Sequence, residues 1–573
     1  MTEKTNKIIR NALFVVVIAF VFIFPVLSLV KMSFMTESGL GLENYIQLFD
    51  DTRTIRAIAN TIIISVCSTA IAVVMGSIMA FLVAYTNIKN KKTIELLVLS
   101  PYIIPSYIIT LSWSSLFSTK GLINSILTSL GLPAINIYSL MGIILVMGIC
   151  NVPIVYLLVV NILRKVPKDM EWAARASGFG IWDVVRKITL IQVMPAIASG
   201  GVLAFLAAID NFSVPAFLGI SSGIPVLSTY IYEKAISFGP SSFNIAAALS
   251  VILSFIAISG TLLQGKLIKK GSNMESVKED YSVRIIIEEK KRKVLETVLL
   301  ILLVLINIVP LCTMIVSSFF KNFGGRIKLE QFTLENFQFV FTNDGVYKAV
   351  VNSIVLALIT CAVCILVGTV IAYMKIRKNS AAAKLLESAA GLTYALPGIV
   401  LAIAMIFHWA KVPGVYGTVK ILIIAYITRY MVLQIKGSTT ALLSVEPSLE
   451  EAGRTCGSSP LYIWYKIIVP MIAKPVLSSS FLIFVSSMTE LTLSSMLASA
   501  GTKTIGLTIF NLQQGGDYSL ATAMSSVLVF AIIIVYGISS RLKNEKKYEK
   551  KGLGLKIRKN VASTKKIFVG TKL

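Results

Sequence analysis

The chain has 573 residues, of which 55% are hydrophobic and only 14% charged, and its mean hydropathy is +0.80. That balance excludes a soluble protein of this size and indicates a polytopic membrane protein. A formal net charge of +26 would suit a nucleic-acid binder. Its Lys and Arg, however, are spread over the loops on one side of the apolar runs, a pattern of membrane topology and anionic-lipid attraction, and no nucleic-acid module is visible.

Apolar runs long enough to cross a hydrocarbon core of about 30 Å fall at 11–31, 57–85, 94–117, 139–162, 196–220, 245–266, 294–319, 347–374, 385–409, 417–437, 476–498 and 520–540. They predict an all-α protein with about twelve transmembrane helices, since helices satisfy the backbone where there is no water. Lys4, Lys7 and Arg10 precede the first run, which is too long for a cleaved leader and lacks a small-x-small site behind it. It is expected to be retained and bent at Pro25. Lys89, Lys91 and Lys92 follow the second run, and Arg164, Lys165, Lys168, Arg175, Arg186 and Lys187 lie between the fourth and fifth. Lys290 to Lys293 sit in a central linker, and the stretch after Arg541 is Lys-rich. A twelve-span count places all of these on one face, which the positive-inside rule makes cytoplasmic, together with both termini. The expected division is a first half at 1–270, a linker at 271–293, a second half at 294–541 and a basic tail at 542–573, lying along the inner leaflet.

The two halves repeat. Leu42-Glu-Asn-Tyr45 matches Leu334-Glu-Asn-Phe337, Asn60-Thr61 matches Asn352-Ser353, Gly76 to Ala80 matches Gly368 to Ala372, and Pro105 matches Pro397, each pair 292 residues apart. Further on the offset falls to 279, so about 13 residues are missing from the second half, in what is expected to be a loop between Phe117 and Ser139 of the first. Loops tolerate such changes better than packed helices.

At the 279 offset, Glu171-Trp-Ala-Ala-Arg-Ala-Ser-Gly178 recurs as Glu450-Glu-Ala-Gly-Arg-Thr-Cys-Gly457. Glu171, Glu450 and Glu451 fall in the first turn of a short helix, where its dipole favours a carboxylate. Small residues at Ala173, Ala174, Ala452 and Gly453 would allow close approach of a partner. Arg175 and Arg454 offer a charged contact or a brace, and Gly178 and Gly457 supply a tight turn. The pattern resembles the EAA loop of ABC importer membrane subunits, and Trp172 and Gly453 depart from the usual pattern. The resemblance implies two fused permease halves of the type I ABC importer transmembrane fold. It also implies two copies of an ABC ATPase at the cytoplasmic face, an extracytoplasmic substrate-binding protein, and alternating access in a cell membrane. No phosphate-binding loop is present, so ATP hydrolysis is expected on another subunit, and neither catalytic residues nor a cofactor are expected here.

Ionisable residues inside spans are costly and so informative, at about 2.5–3.5 kcal/mol each at a helix centre. Asp210 and Glu490 occupy near-equivalent places, beside Asn211, and are candidates for a translocation path or gate, or for a helix–helix brace. Arg429 could pair with an acid. Pro105 and Pro397 are candidate breaks beside a pathway. His408, the single histidine, reads as a cavity or interface residue, and Cys361-x-x-Cys364 as two small residues one turn apart. Neither implies a metal site, and the six cysteines imply no disulfide framework. Asn211 to Gly219, Leu227 to Tyr232 and Met488 to Leu491 look similar to fused ferric-iron permeases. Permeases for thiamine, 2-aminoethylphosphonate, sulfate and polyamines share much of this pattern. The rival class is a proton-coupled secondary transporter with 6+6 helices, but the loop at Lys89 to Lys92 lacks the Gly-x-x-x-Asp-Arg pattern expected there.

Overall fold

The computed structural model describes residues 16, 18–119, 121–237, 241–271, 280–321, 331–535 and 537; the expected basic tail at 542–573 lies outside them. Among the described residues, eight helices are long and apolar enough to cross a membrane: Thr52–Tyr85, Leu140–Leu163, Ile181–Asp210, Ser242–Lys266, Glu289–Ser317, Asp344–Ile376, Pro460–Met488 and Tyr518–Val535. Val419–Leu443 is a further continuous helix of 25 residues. It is diluted by Lys420, Arg429 and Lys436.

The expected spans are broken or shifted at four places. The third and ninth are broken pairs, Lys91–Ile103 with Ser106–Leu116, bent by 104°, and Ala381–Ala395 with Gly398–Trp409, bent by 114°. Pro105 and Pro397 lie at the bends, with φ −55° at both and ψ of 141° and 143°; a proline has no N–H to continue the ladder and pushes its predecessor out of the helical region. The fifth and eleventh spans begin earlier and end earlier than expected, at Asp210 and Met488 rather than 220 and 498. Each then restarts as a short helix, Ser213–Leu218 or Thr492–Leu497. The extra residues after Phe117 are not a bare loop, since Leu122–Ser129 is helical, tied down by the buried Asn124, which donates to Phe117 O at 2.8 Å and accepts from Ile135 N at 2.8 Å. The seventh span starts at Glu289, inside the expected linker.

The repeated residues have repeated jobs. Asn44 Nδ2 donates to Ser33 O and Met35 O, as Asn336 Nδ2 donates to Ser318 O and Phe320 O, and each clamps the turn after its half's leading helix. Thr61 Oγ1 accepts from Leu227 N at 2.8 Å, and Ser353 Oγ accepts from Ile505 N at 2.9 Å. These bonds hold the helices Leu227–Ile236 and Ile505–Gln514 against the second span of each half.

Leading helices are exchanged between the halves. Ala19–Ser33 packs on Gly398–Trp409 of the second half, where Phe20 meets His408 at 4.7 Å and Trp409 at 5.3 Å between ring centroids. His408 is thus an interface residue. Reciprocally, Glu289–Ser317 packs on the broken span of the first half, with Ser317 Oγ 2.6 Å from Ser115 Oγ. Phe212, Phe217 and Phe510 join the halves in one buried core. Cys361 Sγ donates to Ser480 O at 3.3 Å, consistent with a small packing residue.

Candidate functional site

Both Glu/Gly loops fold alike. Each has a short helix directly after a proline, Lys168–Ala176 after Pro167 and Ser448–Thr455 after Pro447. The first closes with Ser177, Gly178 and Phe179 N–H donating to Ala173, Arg175 and Ala174 carbonyls. In the second, Cys456, Gly457 and Ser458 donate to Ala452, Arg454 and Gly453. That closure needs a left-handed residue, and Gly178 and Gly457 have φ of +89° and +76°. Beyond each turn a helix passes through one π-helical turn, Val185–Thr189 or Trp464–Ile468, before entering its span. The two π turns are in register, and such turns bend a helix.

The structure separates residues that the sequence pattern groups as one contact surface. Glu171 and Glu450 are both buried, 4% exposed, and cannot meet a partner. Glu171 Oε1 accepts from Tyr85 Oη at 2.7 Å and Thr189 Oγ1 at 2.8 Å, while Oε2 accepts from Arg284 Nη1 at 2.6 Å. Glu450 accepts from Arg377 Nε at 2.7 Å and Tyr373 Oη at 3.0 Å. Each glutamate therefore ties its loop to the end of its half's second span. Gly453 is half-buried, and a Cβ there would lie 3.0 Å from Ile463 Cγ1. Ala173, Glu451, Ala452 and Arg454 remain exposed, and Ala174 and Arg175 are half-buried; Arg175 Nη2 donates to Arg284 O at 3.2 Å. Around them Trp172, Phe179, Leu461 and Tyr462 are exposed, leaving an apolar face beside each loop. Asp280, beside Arg284, is held below the usual carboxylate range, chiefly by the Ser282 backbone N–H.

Arg377 and Tyr373 escape a reading of the sequence, although a basic residue one turn past an aromatic at a span's end is visible there. Arg284 carries no local signal, since it reaches Glu171 across 113 positions.

The second assembly lies where the halves meet. Asp210 Oδ2 accepts from Arg429 Nη2 at 2.6 Å and Oδ1 from Gly398 N at 2.7 Å, and Arg429 Nη1 donates to Leu396 O at 2.9 Å. The sharp bend at Pro397 leaves Gly398 N–H and Leu396 C=O without helical partners. An acid of one half and an arginine of the other take them up, as a buried backbone requires. Next to Arg429, Tyr430 Oη donates to Glu490 Oε2 at 2.6 Å.

Asp210 and Glu490 lie one position apart in the repeat, which refines their expected near-equivalence. Asn211 Oδ1 accepts from Val214 N at 3.0 Å and Glu490 Oε1 from Leu493 N at 2.9 Å, so Glu490 is the counterpart of Asn211. Both lie two residues before the short helix and accept from an N–H of its first turn, as a capping side chain does. The counterparts of Asp210 and Arg429, at the 279 offset, are Thr489 and Cys150. The ion pair therefore exists on one side of the pseudosymmetry alone. On the other side Pro105 and Tyr102 face Met488, Thr489 and Phe481 across a cleft of about 370 Å³ between the halves.

Two loops of one geometry, one in each half of a duplicated helical membrane chain, accord with the profile of the binding-protein-dependent transport system inner membrane component family, which matches residues 2–270 and 364–543. The chain belongs to this family. It is the multi-pass inner membrane permease of an ABC importer, with two permease units in one polypeptide. The ferric transport system permease protein FbpB of Actinobacillus pleuropneumoniae is 23% identical over 93% of this chain and 78% of its own length. The Fe(3+)-transport system permease protein FbpB 2 of Haemophilus influenzae is 22% identical over 86% and 91%. A putative 2-aminoethylphosphonate transport system permease protein, PhnU of Salmonella typhimurium, is 28% identical over 41% of this chain and 83% of its own length.

Proposed function

We propose that the permease imports ferric iron delivered by an extracytoplasmic binding protein, driven by two copies of a separate ATPase that dock on the loops after Pro167 and Pro447. The observation that carries the coupling role is the shared geometry of the two loops: a buried glutamate anchors each to its own bundle while small and apolar residues stay exposed beside it. Such a loop is rigid toward its half and open toward a partner, as a lever requires. In this reading both termini and both loops are cytoplasmic, in keeping with the Lys and Arg distribution. ATP-driven closure of the ATPase pair draws the loops together, and the halves rock between inward-facing and outward-facing states.

Asp210, Asn211, Glu490, Pro105 and Pro397 line the path or its gate. Their support is the Asp210–Arg429 pair seated at the bend of Pro397 and the cleft between the halves that Pro105 lines. Iron is favoured by the relatives that match nearly the whole chain. 2-Aminoethylphosphonate is the second reading, favoured by the relatives that match one half at higher identity.

The test is ATP-dependent uptake into liposomes holding the chain with its ATPase and binding protein, with ferric iron set against 2-aminoethylphosphonate and thiamine. Uptake of another solute would discard iron and keep the importer, whereas uptake without ATP would overturn the coupling role. Arg454→Glu, which reverses charge on the exposed face, is expected to abolish uptake while leaving insertion intact.

A further inference from the structure

The linker between the halves lies against the first loop. Asp280 N donates to Arg164 O at 2.7 Å, Arg284 N and Ile285 N to Tyr85 O at 3.0 and 2.9 Å. Asn87 and Ile287 exchange two bonds, each of 3.0 Å, and Glu296, just inside the next helix, accepts from Lys89 N at 2.8 Å. The segment is thus laid along Tyr85 to Asn87, at the end of the second span, with one isolated parallel bridge between Ile285 and Thr86.

Arg284 enters the interior from this segment, 3% exposed at its side chain, and donates to Glu171 Oε2 and, through Nη2, to Val166 O at 2.9 Å. In the second half Arg377 donates to Glu450 and to Val445 O. Glu450 and Val445 are the 279-offset counterparts of Glu171 and Val166, so both arginines take the same seat. They reach it from different places. Arg377 follows the second half's own span, where the counterpart at the 292 offset is Tyr85, which cannot carry charge to the glutamate. A buried carboxylate without a cation would be strongly unfavourable, and the linker provides one.

We infer that residues 280–288 are a strap and that Arg284 is the positioning residue of the first coupling loop, so that this loop is braced by the chain leading into the second half while the second loop is braced by its own helix. The inference rests on the coupling reading for its functional consequence and not for its physical one. In the detergent-purified full chain, Arg284→Ala is expected to speed tryptic nicking at Lys168 and Arg175 at least tenfold and leave the loop after Pro447 unchanged, with Arg377→Ala doing the reverse. Adding Tyr85→Arg, which places an arginine as in the second half, is expected to restore protection to Arg284→Ala and to have no effect on Arg377→Ala. ATP-dependent uptake in the full complex should fall and recover in step.

Equal nicking of Arg284→Ala and the unaltered chain, or no recovery with Tyr85→Arg, would overturn the inference. Should Arg284→Ala fail to fold, recovery of folded chain by Tyr85→Arg supports it and continued failure overturns it. If uptake proves indifferent to Arg454→Glu, the coupling reading fails, while the nicking comparison still judges the strap.

Discussion

Asp210 Oδ2 and Arg429 Nη2 meet at 2.6 Å across the boundary between the two halves, and the same two side chains also hold the free N–H and C=O of the bend at Pro397. One ion pair thereby links the break after the fifth span to the break in the ninth. Any rocking of the halves at this level has to part these groups or carry them together.

Breaking that link should be felt in transport before it is felt in folding. Asp210→Asn keeps a shape able to accept from Gly398 N but removes the charge facing Arg429, and uptake in proteoliposomes is expected to fall by about tenfold or more, on the scale of about 1.4 kcal/mol per decade. Exchanging the charges, Asp210→Arg with Arg429→Asp, is expected to recover only part of it, because Gly398 N–H then loses its acceptor. Full uptake by Asp210→Asn would remove the pair from the mechanism.

The loop glutamates should behave as anchors. Removing one partner of a buried pair costs about 3–5 kcal/mol, so Glu171→Ala and Glu450→Ala are expected each to loosen its own loop, read as faster hydrogen exchange confined to 166–190 or 445–470. Glu451→Ala, on the exposed side, is expected to change stability by less than about 0.5 kcal/mol and to act only on ATPase coupling. Equal exchange behaviour for Glu450→Ala and Glu451→Ala would contradict the anchoring.

A Cβ added at Gly178 or Gly457 would point into open space, but the backbone at both is left-handed. Substitution by Ala is therefore expected to destabilise each turn through conformation alone, by about 1–2 kcal/mol. The two should be alike, and Asn should be milder than Ala. A thermal-unfolding series over Ala, Asn and Val at each position would check the order.

Gly76 and Gly368 occupy matching positions in the second spans, yet their surroundings differ. A Cβ at Gly76 would lie 2.9 Å from Val155 Cβ and 3.0 Å from Tyr156 N and Val152 O, whereas at Gly368 the nearest atom, at 3.0 Å, is Gln434 Cγ. Two of the three contacts at Gly76 are to backbone at 3.0 Å, whereas the backbone atom near Gly368, Ile435 N, is at 3.4 Å. Gly76→Ala is expected to lower stability by about 1–3 kcal/mol and Gly368→Ala by clearly less, measured as loss of folded chain on heating in detergent.

Much of this protein could be read without coordinates. Apolar runs of membrane length marked the helices, the constant offsets of 292 and 279 exposed the duplication, and the paired Glu/Gly segments marked the loops. Gly178 and Gly457 were legible as turns because a left-handed residue has few alternatives, and Pro105 and Pro397 as breaks because proline cannot continue a helical ladder. Each of these is a property of a residue and its near neighbours, so the chain alone carries it.

What the tertiary structure decided is which side chains meet. That Glu171 is buried and not presented depends on Tyr85, Thr189 and Arg284 arriving from three separate segments. The pairing of Asp210 with Arg429, and not with a residue of its own half, depends on the packing of one bundle against the other. The exchange of the leading helices depends on that same packing. Charge, hydrogen bonding and burial are set by distances in space, and a sequence of helices of similar length and hydropathy is compatible with many arrangements of them.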